Sequence, residues 1–137
     1  MSTKLKDKQE KIEQVIAKLL EESKKGTPVV VEGKKDAQTL QTLGVEGPVF
    51  MVKTGGKSFL DAVAEIEQSG ARKVMLLLDF DRRGREGTSR LIGEFERLRI
   101  KSNIRFWRDL KALTGKDIQC IESLPSYLET LKNKVSA

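Results

Sequence analysis

The chain contains no histidine and only one cysteine, Cys120. Without histidine there is no Ser-His-Asp relay and no zinc site of the usual Cys/His kind. A lone thiol cannot close an internal disulfide, so nothing points to an oxidising compartment. The pattern Ile118, Cys120, Ile121 assigns that thiol to the small buried side chains. No window approaches the roughly 20 consecutive apolar residues of a membrane helix, and Met1 to Lys11 is charged and lacks an apolar signal core. A soluble, cytoplasmic protein with no membrane partner is expected. Its chemistry must come from carboxylates, Lys and Arg, hydroxyls or a bound metal.

What the chain does have is charge: 26 Lys plus Arg against 20 Asp plus Glu in 137 residues, a net +6. The length predicts one domain over 1–137. Leu5, Ile12, Val15, Ile16, Leu19 and Leu20 recur at helical spacing, so 1–25 reads as an amphipathic helix stopped by Gly26 and Pro28. Short apolar runs then alternate with helical ones. Strands are expected at Pro28–Val31, Val49–Val52, Lys73–Leu78 and Asn103–Trp107, and helices at Asp36–Leu43, Ser58–Gln68 and about Glu86–Leu98. This alternation predicts an α/β sandwich with a mostly parallel four-stranded sheet over 27–107. The remainder, 108–137, reads as a short helix, a connector around Gly115 and a helix from about Pro125.

In such a sheet ligands bind beyond the carboxyl ends of the strands. Three segments follow the first three strands: Glu32-Gly33, Lys53 to Lys57, and Asp79 to Arg85. Asp79 and Asp81, two apart in extended chain, should point to one side while Phe80 points away. Such a pair supplies hard oxygen ligands for Mg²⁺ or Mn²⁺. The competing reading makes them helix caps or partners of Arg82, Arg83 and Arg85. Glu32, straight after Val-Val-Val, is costly to desolvate without a partner, which a metal or a reacting proton would supply. Its competing reading is an acid at a helix N-terminus. Gly33 is read as a tight turn that lets backbone approach a ligand.

The run Val29-Val30-Val31-Glu32-Gly33-Lys34-Lys35-Asp36, followed later by Leu76-Leu77-Leu78-Asp79-Phe80-Asp81-Arg82-Arg83-Gly84, resembles the two signature motifs of the Toprim family, a Glu-Gly and an Asp-x-Asp-x-x-Gly. That domain is shared by type IA and type II topoisomerases, bacterial-type primases, recombination proteins and small ribosomal-RNA maturation nucleases. The likeness spans about Thr27 to Trp107, and the size and helical flanks resemble the small stand-alone Toprim proteins of archaea and some bacteria. It implies a Rossmann-like sandwich with helices on both faces. It also implies Glu32 as general acid/base and as a metal residue together with Asp79 and Asp81, the holders of Mg²⁺ or Mn²⁺, and a nucleic-acid phosphodiester, RNA or DNA, as substrate. Topoisomerases attack with a tyrosine from another domain, whereas the only tyrosine here, Tyr127, lies in a C-terminal helical pattern as a packing residue. Water is then the attacking group, and a nuclease is favoured over strand passage.

Further phosphate contacts are expected from Gly33 and Lys34, from Lys53, Gly55, Gly56 and Lys57, and from Arg82, Arg83 and Arg85 beside the acids. The basic stretch Arg97, Arg99, Lys101, Arg105, Arg108, with Phe106 and Trp107 interleaved, adds Arg105 as a backbone contact and could stack a base. Two alternatives stay open: a non-catalytic RNA- or DNA-binding subunit of a larger RNA-processing or DNA-repair assembly, and a nucleotide hydrolase, since Gly-Gly-Lys-Ser resembles part of a Walker A loop.

Overall fold

The computed structural model describes residues 3–52 and 59–137. Lys53, Gly55, Gly56 and Lys57, expected to form a phosphate-binding loop, lie outside the described residues. The elements follow in the order α1 (Thr3–Lys24), β1 (Val29–Val31), α2 (Lys34–Leu43), β2 (Val49–Met51), α3 (Phe59–Gln68), β3 (Lys73–Leu76), α4 (Arg82–Arg97), β4 (Lys101–Asn103), α5 (Arg105–Thr114) and α6 (Leu124–Ser136), with a 3-10 turn at Ile121–Ser123 before α6. All pairings are parallel and the strand order is β2-β1-β3-β4. No described helix is long and apolar enough to cross a membrane.

The apolar runs Val29–Val31 and Val74–Leu78 are buried on both faces, and their alternation divides the core in two. Val29, Val31, Met75 and Leu77 pack with α1, α2, α5 and α6 through Ile12, Leu19, Leu40, Leu110 and Leu131. Val30, Val74, Leu76 and Leu78 pack with α3 and α4 through Ile66, Leu91 and Phe95. A strand covered on both sides needs apolar residues at every position, which is why these segments read as unbroken runs. Each fully buried Val or Leu contributes about 1.5–3 kcal/mol relative to exposure.

The strand order turns outward from β1 in both directions, toward β2 and toward β3. That makes the gap between the carboxyl ends of β1 and β3 the topological switch point, where open α/β sheets leave a crevice. Val30 pairs with Leu76, and the Leu77 amide continues the ladder to the Val30 carbonyl at 2.8 Å. Glu32 and Asp79 therefore leave adjacent strands at the same end of the sheet.

Two expected elements are displaced. The helix expected from Glu86 starts at Arg82, because the Asp81 carboxylate caps it by accepting the Gly84 N–H at 2.8 Å. The expected strand Asn103–Trp107 occupies Lys101–Asn103 instead, and Phe106 and Trp107 belong to α5, where both are buried in the core. They are not available to stack on a base.

Candidate functional site

The segment after β3 is held from three directions. The Trp107 indole N–H donates to the Leu78 carbonyl at 2.8 Å, and the Phe80 N–H donates to the Gln119 carbonyl at 2.7 Å. From below, the first turn of α4 lies so close that a Cβ on Gly84 would sit 1.9 Å from the Asp79 carbonyl oxygen. The glycine of the Asp-x-Asp-x-x-Gly motif is thus a packing requirement: it lets α4 begin directly on the backbone that presents Asp79. Gly84→Ala must push helix and acid loop apart, and the expected loss is about 1–3 kcal/mol, as for other overpacked sites. A thermal melt would check this; an unchanged midpoint would mean that the two backbones are not tightly apposed.

Gly33 behaves differently from expectation. It caps α2 with extended backbone, φ −142° and ψ −179°, which any residue adopts, and among the described residues a Cβ there would meet nothing within 4 Å. The tight turn is absent.

Glu32 is 5 % exposed at the end of β1. Together with Phe59, Arg83, Glu86, Gly87 and Arg90 it lines a cavity of about 340 Å³. Arg83, Glu86, Gly87 and Arg90 form one face of α4 at helical spacing. Gly87 lets that face approach the sheet, since a Cβ there would meet Leu78 Cδ2 at 2.9 Å and the Phe59 ring at 3.0 Å. The Arg90 guanidinium lies 5.2 Å from the centre of the Phe59 ring, which positions it over the cavity wall. Arg83 has no carboxylate at ion-pair distance among the described residues, whereas Arg82 is paired with Glu86 at 3.0 Å. Lys34, at the start of α2, and Arg85 are exposed, and Arg105 lines a different cleft.

The acids do not group as the motif alone suggests. Among the described residues, the carboxylates of Asp36 and Asp79 and the thiol of Cys120 lie within 4.8 Å of one another; neither Glu32 nor Asp81 belongs to this group. Asp81 has one oxygen engaged in capping α4. Asp36 is 7 % exposed, accepts the Glu122 N–H at 2.9 Å and lies 3.4 Å from the Gly33 N–H. Those bonds aim its carboxylate at the Asp79 side of α2. Cys120 is partly exposed, with Sγ 3.5 Å from the Ser123 hydroxyl, and so does not belong to the fully buried apolar residues as its sequence pattern suggested. Two convergent carboxylates at a strand end are a donor set suited to a hard divalent cation. Asp36 stands four residues after Glu32, in the first turn of α2, and that spacing was the available signal for it.

Tyr127 is remote from these groups in its bonding. Its hydroxyl donates to Asp117 at 2.8 Å and Lys8 lies 5.5 Å from its ring centre. Burial pushes its phenol above the ordinary value, while the hydrogen bond from Tyr127, followed by that from Lys8, holds the Asp117 carboxyl below the usual range. These are the bonds of a packing residue joining α1 and α6.

The Toprim domain family model matches residues 27–108. The UPF0292 protein of Methanocaldococcus jannaschii is 38 % identical over 120 residues, covering 87 % of this chain and 91 % of that one. A UPF0292 protein of Methanosarcina acetivorans is 34 % identical over 125 residues, covering 91 % and 85 %. Among solved structures, a putative protein from Aquifex aeolicus has the same fold, with a TM-score of 0.66 at 24 % identity over 81 % of this chain and 95 % of that one. Toprim domains generally bind a divalent metal such as Mg²⁺ and are associated with nucleic acid, and the convergence of Asp36 and Asp79 fits such an ion. The chain belongs to the Toprim family, in the group of small archaeal UPF0292 proteins.

Proposed function

We propose that this protein is a cytoplasmic, metal-dependent nuclease that hydrolyses a phosphodiester of RNA or DNA. The observation that carries the reading is the placement of Glu32: a buried carboxylate in a cavity whose opposite wall carries Arg83 and Arg90, one strand away from the Asp36–Asp79 pair. Guanidinium groups bind phosphate through paired N–H donors and stay charged at any working pH, so Arg83 and Arg90 orient the scissile phosphate. Glu32 then exchanges a proton with an oxygen of that phosphodiester. Asp79 and Asp36, with the free oxygen of Asp81, would hold Mg²⁺ or Mn²⁺, which when bound neutralises charge on the phosphate. Water attacks, since the Tyr127 hydroxyl is committed to Asp117.

One observation favours a second reading, a non-catalytic RNA- or DNA-binding subunit of a larger assembly: Asp81 gives one oxygen to capping α4 rather than to the acid group. Labelled single-stranded, duplex and structured RNA and DNA, incubated with Mg²⁺, with Mn²⁺ or with EDTA, separate the two. Metal-dependent cleavage of any of these is the expected result. Salt-sensitive binding of the same substrates with no cleavage in either metal overturns the nuclease reading.

A further inference from the structure

A second cavity, of about 390 Å³, opens between the last turn of α1, the first residues of β3 and β4, and the exposed face of α5. It shares no residue with the Glu32 cavity. Four cations line it, Lys73, Lys101, Arg105 and Arg108, against two carboxylates, Glu22 and Asp109. Lys73 and Lys101 are direct register partners on neighbouring parallel strands. Strands run about 4.8 Å apart, and like charges placed side by side at that spacing destabilise the sheet. Arg105 and Arg108 stand three apart on α5 and present the same face. Among the described residues, none of the four has a carboxylate at ion-pair distance.

The acids compensate them only in part: the Glu22 carboxyl is held below its ordinary value first by the Thr27 hydroxyl, then by Lys25, and last by the charge of Lys73. Glu22 is bound at its own helix end, accepting from the Thr27 hydroxyl at 2.7 Å and from Lys25 at 3.4 Å. A sheet edge with a repelling lysine pair and two further cations without an ion pair is in local conflict with its own fold, and such conflicts mark functional positions. A phosphate group relieves it, by its charge and by offering acceptor oxygens to the ammonium and guanidinium groups.

We propose that this cleft is a second phosphate-binding site. Lys73 begins β3 and Asp79 follows it by six residues of extended chain, so the cleft lies up to about 20 Å from the acid cluster at the other end of the sheet. At ~3.4 Å of rise per nucleotide this is a reach of roughly six nucleotides. The site therefore holds a nucleic-acid strand away from the reacting bond, which rests on the nucleic-acid reading above; a free phosphate compound is the other source of the same chemistry.

The test is the binding of labelled 15-nucleotide RNA and DNA in EDTA, where no cleavage competes, to the wild type, Arg105→Gln/Arg108→Gln and Lys116→Gln, an exposed cation outside both cavities. Both arginines are exposed, so the double variant should melt as the wild type does. Its affinity should fall about tenfold or more, with the salt slope reduced by about 0.7 for each phosphate no longer neutralised, while Lys116→Gln binds as the wild type does. In parallel, inorganic phosphate is titrated while the amide resonances of residues 101–108 are followed. Phosphate-induced shifts with unchanged oligonucleotide affinity in the double variant would keep the site but assign it to a free phosphate compound, leaving the nuclease reading untouched. Neither effect would overturn the site. Because the assay contains no metal, failure of the catalytic reading would show separately, as intact binding without turnover.

Discussion

Glu32→Gln is expected to lower phosphodiester cleavage by about 10²- to 10⁴-fold, the range that one positioned acid or base contributes. The substitution is nearly isosteric and removes the charge together with the ability to carry a proton. Glu32 is buried at the end of β1 against the α4 face, and an amide of the same shape fits that space. The fold should survive, and a thermal melt checks that it does. Metal affinity should largely persist, because the convergent carboxylates are those of Asp36 and Asp79. A single-turnover assay at saturating Mg²⁺, beside a calorimetric Mn²⁺ titration of the same variant, reads both quantities. If turnover is retained, Glu32 is not the proton carrier. If metal affinity falls as far as turnover does, Glu32 acts first as a ligand.

Why the sequence exposed Glu32 and Asp79 but concealed their neighbours has a physical basis. Strands covered on both faces must be apolar at each position, so the first polar residue after Val29–Val31 or Val74–Leu78 necessarily stands at a strand end. Two such ends on adjacent parallel strands define a crevice, and that much follows from patterning. The start of α4 does not follow, because its first turn is Arg82-Arg83-Gly84-Arg85, poor in apolar residues and carrying a glycine. Its helicity comes from the Asp81 cap and from the close approach of Gly84 to the Asp79 carbonyl, both tertiary facts. A helix beginning only at Glu86 leaves Arg83 outside it, which hides the face that Arg83 shares with Arg90. Phe106 and Trp107 mislead in the same way. An aromatic pair beside arginines resembles a stacking platform, but the Trp107 indole N–H belongs to the Leu78 carbonyl. Cys120 stands beside the acids where the Phe80 N–H to Gln119 and Glu122 N–H to Asp36 bonds tie the segments together, a separation in sequence that no local pattern records.

Asp79→Asn and Asp36→Asn should each weaken divalent-metal binding, by at least the roughly 10- to 100-fold that loss of a supporting partner costs at metal sites. For Asp79 this agrees with the signature motif. For Asp36 it follows from the structure, where its carboxylate lies within 4.8 Å of Asp79 and is oriented by the Glu122 N–H at 2.9 Å. A purely structural Asp36 gives a different result. Asparagine keeps an acceptor oxygen for the Glu122 amide, so a residue that only secures the turn before α6 would tolerate the change with metal affinity intact. Asp36→Ala, which leaves that amide unpaired, would then carry the larger penalty, about 1–3 kcal/mol of stability. Measuring Mn²⁺ affinity and thermal midpoint on both variants distinguishes the roles: a ligand loses affinity in both, and an anchor loses stability in the alanine variant alone. Loss of affinity in Asp36→Asn at an unchanged melting point would extend the metal centre from the end of β3 to the first turn of α2. The segments that follow the two strands flanking the switch point would then each contribute to one ion, and Asp81 would be left chiefly to start the helix that carries Arg83 and Arg90.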